Sequence, residues 1–593
     1  MSEPETDQAA RRRIFIGVAW PYASGPRHVG HAVPNLASDI FARYHRMAGS
    51  DVLMVSGSDE HGTPITVVAD RRGVSPRQIA EENHRIIAAS YEALGCSFDL
   101  YTETGTPNHY RVTQDVFLRL REQGYLFEET TEAAYDPEAK RFLPDRYIEG
   151  TCPHCGFPDA RGDQCDNCGR TLDPVDLINP RSKLSGATPE TRDTTHFFLD
   201  LPKFTEPLLA WIDASKEYWR PNVAAFTENW IREGLKPRAI TRDIDWGVPI
   251  PVPGYEDKRI YVWFDAVIGY LSAAIEWAEL QGTPDAWKRW WTLQPDGTPP
   301  ARAYYFIGKD NIPFHAIIWP AMLMGYGGLT LPYDVPANEF VTLRGQKISS
   351  SRSHTTERLP WLHEFLDLFD PDALRFFLTL NAPETRDTDF SWDEFQRRNN
   401  DELVATYGNA VHRLLRFLQS RLEGTVPEPG PLNERDQTML DQIGTTFRAA
   451  ADRLEAVKLR DGLGQVLDLA RALNRYLDET EPWKTLKSDP ERARTGLWVA
   501  LQVVSSLRVL TGPFLPFSAQ RLHGFLGDTG EVASLPWEPV ALPAGRTLPQ
   551  PEPLFRKLDD EELDGLLARL NDEVPATGEP DTVSASAPGS PAS

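Results

Sequence analysis

The stretch RRIFIGVAWPYASGPRHVGHAVPNLASDIFARYHRMAGSDVLMVSGSDEHG, residues 12–62, decides the fold. Arg12 to Ala19 is an apolar, partly β-branched run that stops at Pro21, which predicts a buried strand. The turn-rich PYASGPRHVGHA follows. Leu36, Ile40, Phe41, Tyr44 and Met47 then recur at helical spacing. A second strand is predicted from Val52 to Val55, running into Ser56-Gly57-Ser58-Asp59-Glu60-His61-Gly62. Strand, turn, helix, strand opens a doubly wound α/β domain, in which ligands sit beyond the C-terminal ends of the strands. Both turn segments lie at such ends.

Outward from this core, Tyr125 to Lys236 changes character to short polar and aromatic segments around a cysteine knuckle, and reads as an insertion. Strand-like runs return at Arg259 to Phe264 and at Ala303 to Ile307. After Phe390 apolar residues repeat at three and four spacings through Leu403 to Leu418, Leu440 to Leu454, Leu463 to Leu477 and Thr495 to Leu510, which predicts a helical bundle. The expected organisation is a disordered N-terminus over 1–11, the first half of a parallel-sheet (Rossmann-like) domain over 12–124, and the insertion over 125–236. The second half follows over 237–331, then a linking region over 332–392, the bundle over 393–545 and a C-terminal extension over 546–593. That extension ends in a Pro-, Ser-, Gly- and Ala-rich tail expected to be disordered from about 575. There is no internal repeat.

The 593 residues are 41% hydrophobic and 25% charged, enough apolar material for several ordinary cores. No run of eighteen apolar residues is present, and Met1 to Arg13 lacks the apolar stretch of a secretory signal. A cytoplasmic protein without a membrane partner is expected. The formal net charge of −24 speaks against a nucleic-acid partner only weakly, because an acidic chain can still carry a local basic surface.

Some residue patterns carry chemistry. His28-Val29-Gly30-His31, placed after a strand and opening a helix, suits phosphate. Gly30 permits close backbone approach, a helix N-terminus favours anions, and histidines donate to phosphate oxygens as charge builds. A structural turn is the plain alternative. Lys347-Ile348-Ser349-Ser350-Ser351-Arg352 offers cations and hydroxyls for a triphosphate, or is a solvated loop. Cys152-x2-Cys155-x9-Cys165-x2-Cys168 has the spacing of a closed tetrahedral Zn²⁺ site, structural because all four positions are protein ligands. Gly156 and Gly169 allow the turns after each pair. Tyr261 to Tyr270 is a dense aromatic run that composition alone assigns to a core. Asp310 reads as a cap for the helix through Trp319. Asn409 and Arg413, four apart, share a helix face. Trp483 by itself is a loop-anchoring aromatic. His45, His84 and His109 read as surface or partly buried histidines, and Cys96 as a small core residue.

In context these motifs resemble those of the methionyl-tRNA synthetase family, over roughly residues 12–530 and in the family's order. PYASGPRHVGH is similar to the HIGH signature of class I aminoacyl-tRNA synthetases in its Pro-Tyr-Ala form. The segment from Lys347 resembles the KMSKS signature, with Ser350 where the family usually has a second lysine. TCPHCG and CDNCG match the family's zinc knuckle. YVWFDAVIGY resembles YVWxDAPIGY, with Val267 in place of proline, and Trp20 stands where leucine is common in bacterial members. The resemblance implies that His28, Gly30, His31, Lys347, Ser349, Ser350 and Arg352 act on the phosphates, with Arg242 facing the active site. It places Tyr22, Trp263, Ala266, Tyr270 and His315 around the methionine side chain, where aromatic walls suit a thioether. Asp59 would hold the substrate ammonium. Gly308 would admit the adenosine and Asp310 accept from its ribose. Asn409, Arg413, Asn474 and Trp483 would read the anticodon.

The implied activity is methionine–tRNA ligation. ATP and L-methionine give methionyl-adenylate and pyrophosphate, and methionine then passes to the 3′ end of initiator or elongator tRNA. One structural Zn²⁺ and Mg²⁺ with ATP are the implied metals, and a monomer is expected. Two competing readings are another class I synthetase, whose editing insertion would be longer, and a catalytically weakened tRNA-binding relative.

Overall fold

The computed structural model describes residues 11–572 apart from 145–146, 163–164, 166–171, 173–175, 294–300, 344–345 and 348–359. The two terminal segments expected to be disordered fall mostly outside the described residues.

Strand β1 (Arg13–Val18) carries side chains to two cores at once. Ile14, Ile16 and Val18 enter one apolar cluster, while Phe15 enters another on the opposite face. That follows from the two-residue period of a strand covered on both sides, which is why it reads as a continuous apolar run. β1 pairs in parallel with β2 (Asp51–Ser58), and β2 with β3 (Leu100–Glu103). On its other side β1 pairs in parallel with β4 (Arg302–Gly308), which pairs with β5 (Pro332–Asp334). The sheet order is therefore 5-4-1-2-3, with Ala337–Asn338 added beside β4. The chain winds away from β1 in both directions, so the crevice of the doubly wound fold opens at the ends of β1, β2 and β4.

The helix Ala32–Met47 covers one face and the helix Val262–Leu280 the other. The second helix corrects the sequence reading. Only Arg259–Ile260 is strand, and the aromatic run from Val262 onward is helical. Nearly every residue from Phe264 to Ala274 is buried, so the helix has no polar stripe to reveal its period, and a short fully apolar run does not distinguish strand from helix.

The insertion is an antiparallel hairpin, Leu126–Asp136 against Glu190–Leu199. A small sheet of Ile148–Thr151, Ala160–Arg161 and Ile178–Ser182 lies between its strands in sequence. Helices Thr205–Ser215 and Pro221–Gly234 complete it.

The C-terminal half packs helices Asn409–Leu422, Glu434–Glu455, Leu459–Thr480 and Pro490–Thr511 around one core. Residues 546–558 do not form a separate appendage. Leu548, Leu554, Phe555 and Leu558 are buried in that core, and Asn400 Nδ2 donates to Leu558 O at 2.6 Å. Arg375 locks bundle to sheet domain. Its buried guanidinium donates to Asp39 Oδ2 at 2.6 Å, Leu94 O at 3.2 Å, Pro513 O at 2.9 Å and Phe514 O at 2.8 Å. His45 and His109 are fully buried rather than superficial, while His84 is half-buried. Among the described residues no helix is long and apolar enough to cross a membrane.

Candidate active site

The chain leaves β1 through Trp20-Pro21-Tyr22 and β2 through Asp59, and the two exits bind each other. Asp59 N donates to Pro21 O and Ala23 N to Asp59 O, both at 2.8 Å. A cavity of about 290 Å³ opens there, at the switch point of the sheet, near the lower limit for ligand pockets. His28, Gly30, His31, Tyr22, Asp59, Trp263, Ala266, Tyr270, His315, Gly308 and Asp310 all line it. The fold thus gathers side chains as far apart in sequence as Tyr22 and His315.

The histidine motif forms a single 3-10 turn, Val29–His31, ahead of the Ala32–Met47 helix. Gly30 N donates to His28 Nδ1 at 3.1 Å, so the neutral ring carries its proton on Nε2 as a donor. Burial, then the charge of Arg27, pushes the His28 imidazole down to about 3. The His28 and His31 rings lie 3.7 Å apart. A Cβ at Gly30 would meet His28 Cε1 at 3.0 Å and Nδ1 at 3.1 Å. The glycine therefore makes room for a histidine ring, a role the sequence reading did not foresee.

The aromatic wall comes from three elements. Trp263 stacks on Phe314 at 4.3 Å and meets Tyr22 edge-on at 5.8 Å. His315 sits in a π-helical turn, Phe314–Ile318, and its Nδ1–H donates to Asn311 O at 3.0 Å. That fixes Nε2 as an acceptor, and Tyr270 Oη donates to it at 2.7 Å. Burial lowers His315 to about 4, so the ring is neutral near pH 7. Trp20 fills the slot between Gly57 and Gly269, where a Cβ on Gly269 would lie 2.7 Å from the indole. The wider side chain at that position is accommodated by two missing side chains.

Asp59 is buried at 3% exposure, and its Oδ1 accepts from His61 N at 3.1 Å. Burial, reinforced by Asp265, raises its carboxyl well above the usual range. A cation beside it would favour its charged form. Asp310 lies inside the 3-10 turn Lys309–Asn311 and caps no helix, correcting that expectation. A Cβ at Gly308 would stand 2.8 Å from Asp310 Oδ1.

Arg242 does not line the cavity. Arg242 donates to Ala239 O at 3.1 Å and Thr241 O at 2.8 Å and stacks on Tyr261 at 4.0 Å. Lys347 ends the short strand Gln346–Lys347. Ser349, Ser350 and Arg352 lie outside the described residues. Conversely, Arg27, Asn35 and Tyr91 line the cavity without having been singled out. Arg27 adjoins the motif and was open to notice; Tyr91 carries no local signal, because it arrives from a helix 60 residues on.

Away from the cavity, Cys152, Cys155 and Cys165 bring their sulfurs within 4.8 Å of one another, with Cys155 and Cys165 3.6 Å apart. Tetrahedral Zn–S bonds of about 2.3 Å space sulfurs by about 3.8 Å, so the donor set fits a thiolate-bound metal. Gly156 takes the left-handed turn expected of it, with φ +73°. Cys168 and Gly169 lie outside the described residues. In the bundle, Asn409 and Arg413 are exposed on one helix, and the Arg413 guanidinium lies 4.8 Å over the Trp483 ring. Asn474 is engaged inward, donating to Thr406 O at 2.7 Å and Ala470 O at 3.1 Å. It braces the π-helical stretch Arg398–Gly408 from which the Asn409 helix continues.

Comparison with known proteins matches residues 14–415 to the family described as tRNA synthetases class I (M), and residues 426–573 to the anticodon binding domain of methionyl tRNA ligase. The chain is 53% identical over 591 residues to the methionine–tRNA ligase of Roseiflexus castenholzii, covering 95% of this chain and 99% of that one. The chain belongs to the methionyl-tRNA synthetases. It is also 51% identical to the methionine–tRNA ligase of Thermomicrobium roseum, over 94% of this chain and 98% of that one. The methionyl-tRNA synthetase of Mycobacterium tuberculosis, solved bound by methionyl-adenylate, superposes with TM-score 0.76 at 26% identity, covering 92% of this chain and all of that one. As a synthetase of this family the chain is a methionine–tRNA ligase, and its cavity lies where the fold class puts a nucleotide.

Proposed function

We propose that this cavity joins L-methionine to ATP and passes the product to the 3′ end of initiator and elongator tRNA. The observation that carries the reading is the meeting, in one cavity, of two adjoining histidine rings, a buried carboxyl and an aromatic wall. Asp59 takes the substrate ammonium, which offsets the burial that raises its carboxyl. Tyr22, Trp263, Ala266, Tyr270 and His315 enclose the thioether. The Tyr270–His315 bond leaves no free polar hydrogen between them, so the wall presents apolar faces.

The methionine carboxylate attacks the α-phosphate, and pyrophosphate leaves with Mg²⁺. Little covalent work falls to the protein; positioning and charge stabilisation supply the rate. His28 Nε2–H donates to a phosphate oxygen as charge grows there. His31 and Lys347 act with it, Arg352 stands in for the lysine replaced by Ser350, and Gly308 and Asp310 receive the adenosine. Arg242 serves as a further cation after leaving its own carbonyls. Cys152, Cys155, Cys165 and Cys168 hold one structural Zn²⁺. Trp483, stacked under Arg413, offers its other face to an anticodon base, with Asn409 on the same surface and Asn474 supporting it.

The test is amino-acid-dependent pyrophosphate exchange with each of the twenty amino acids. Exchange with methionine alone is expected. Exchange with leucine, isoleucine, valine or cysteine in its place, or none at all, overturns the reading.

A further inference from the structure

The two neighbours of Arg242 in sequence are both held by one histidine of the insertion. His196 lies on the hairpin strand Glu190–Leu199 and is buried. Its Nε2 meets Asp243 Oδ2 at 3.0 Å and its Nδ1 meets Thr241 Oγ1 at 3.0 Å. A carboxylate can only accept, so the ring proton sits on Nε2 and the Thr241 hydroxyl donates to Nδ1. Thr241 Oγ1 in turn accepts from Phe197 N at 3.0 Å. Asp243 also accepts from Thr194 Oγ1 at 2.9 Å and pairs with the buried Lys258 ammonium, which donates to Thr194 Oγ1 at 2.6 Å. Burial opposes the charge on Asp243, and the bonds from His196 and Lys258 outweigh it, holding the carboxyl below its usual range.

Side chains two apart that bind one ring lie on the same side of an extended chain, and the side chain between them projects to the other. Arg242 is that side chain. Its guanidinium lies 4.0 Å over the Tyr261 ring. Tyr261 immediately precedes the helix Val262–Leu280, which brings Trp263 and Ala266 to the cavity. The ladder of Thr241–Arg242 with Arg259–Ile260 is a weak guide to this direction. It is two pairs long, and one of them sets Arg242 directly opposite Arg259, a like-charge pair that destabilises the pairing. The orientation therefore depends on an anchor outside the ladder, and the hairpin supplies it through His196 and Thr194.

We propose that His196 is a positioning residue for adenylate formation: by gripping Thr241 and Asp243 on the hairpin side, it keeps Arg242 on the side of Tyr261 and the cavity. This rests on the reading of Arg242 as a cation for the phosphates. His196 itself touches no substrate. The insertion then aims a group of the reaction centre as well as carrying the cysteine knuckle.

The experiment is a double-mutant cycle on the full-length chain, read by methionine-dependent pyrophosphate exchange with methionine and ATP varied in turn. His196→Leu removes both bonds of the ring. It is expected to lower kcat about ten-fold and to leave the KM for methionine within about two-fold, since misplacing a remote group acts on the reacting geometry. Arg242→Ala should lower kcat by about 10²-fold or more. Adding His196→Leu to it should cost less than about two-fold further, because nothing is left to position. His196→Gln, which can still donate to Asp243, should recover part of the loss when Arg242 is present. Equal cost of His196→Leu with and without Arg242 overturns the proposal in favour of a general structural role. A raised KM for methionine with intact kcat overturns it in favour of support for the Trp263 helix. If Arg242→Ala keeps kcat within about two-fold of wild type, the reading of Arg242 fails and takes the proposal with it. Full kcat in His196→Leu beside a loss in Arg242→Ala sinks the proposal alone. If His196→Leu does not melt cooperatively, Thr241→Val takes its place in the cycle. A loss of kcat that vanishes without Arg242 then supports the proposal, and an unchanged kcat or a loss that persists without Arg242 overturns it.

Discussion

Replacing Gly30 by alanine isolates the geometry of His28. Gly30 does not have a positive φ, so the added methyl group meets no backbone strain. It does meet the ring. The Cβ would lie 3.0 Å from His28 Cε1 and 3.1 Å from Nδ1, against an ordinary contact of about 3.5–4.0 Å. The imidazole must therefore move by about 0.5–1 Å. It also leaves the 3.1 Å bond from Gly30 N that holds its tautomer. A displacement of that size at a reacting centre costs up to about a hundred-fold, and loss of one transition-state donor about 10²–10³ in kcat. A ring that moves without being lost should cost about ten- to a hundred-fold in kcat for adenylate formation. The KM for ATP should change little, since the contact matters most in the transition state. Pyrophosphate exchange at saturating methionine, with ATP varied, measures both constants, and a thermal melt confirms the fold. A kcat within two-fold of wild type refutes the reasoning. A raised KM for ATP with intact kcat would instead mean that the glycine serves ligand approach, as the sequence alone implied.

Cys152→Ser should reduce bound metal from one ion per chain and increase proteolysis between residues 148 and 182, because ligand geometry is coupled to local folding; a wild-type chain without stoichiometric Zn²⁺ defeats the metal assignment. Trp483→Ala should raise the KM for methionine tRNA several-fold and leave exchange nearly intact, whereas equal loss of exchange speaks against anticodon reading. Methionine binding should weaken as pH falls through the raised range of the Asp59 carboxyl, since only the ionised form pairs with an ammonium. A KM for methionine that stays flat across that range, or that shows the same trend in Asp59→Asn, removes Asp59 from the role. Lys347→Ala should lower kcat for adenylate formation by about 10²-fold or more, Arg352→Ala by less, and Ser350→Lys should partly rescue the latter; unchanged exchange in Arg352→Ala ends the idea that the two cations share the phosphates.

The sequence by itself determined the class of the fold, the family and the residue types of the site. β1 and β4 were legible because a strand buried on both faces is apolar throughout, and the knuckle because metal-ligand spacing is local in sequence. Three of the four bundle helices were legible because they are half-exposed and keep a polar stripe, whereas Pro490–Thr511 is buried almost throughout from Thr495 onward. Tertiary structure decided whatever depends on a distant partner. The Tyr261–Tyr270 run became a helix because it is buried all round, which erases the period that separates helix from strand. Trp20 fits because Gly57 and Gly269 vacate the same space, and no local pattern links residues 20, 57 and 269. The neutral rings of His28 and His315 and the raised carboxyl of Asp59 follow from burial and from neighbouring groups, quantities a sequence does not carry. Arg27 shows the difference most clearly: in the sequence it is one more arginine beside a motif, and in the fold it is a buried cation whose Nε and Nη2 have no hydrogen-bond partner among the described residues.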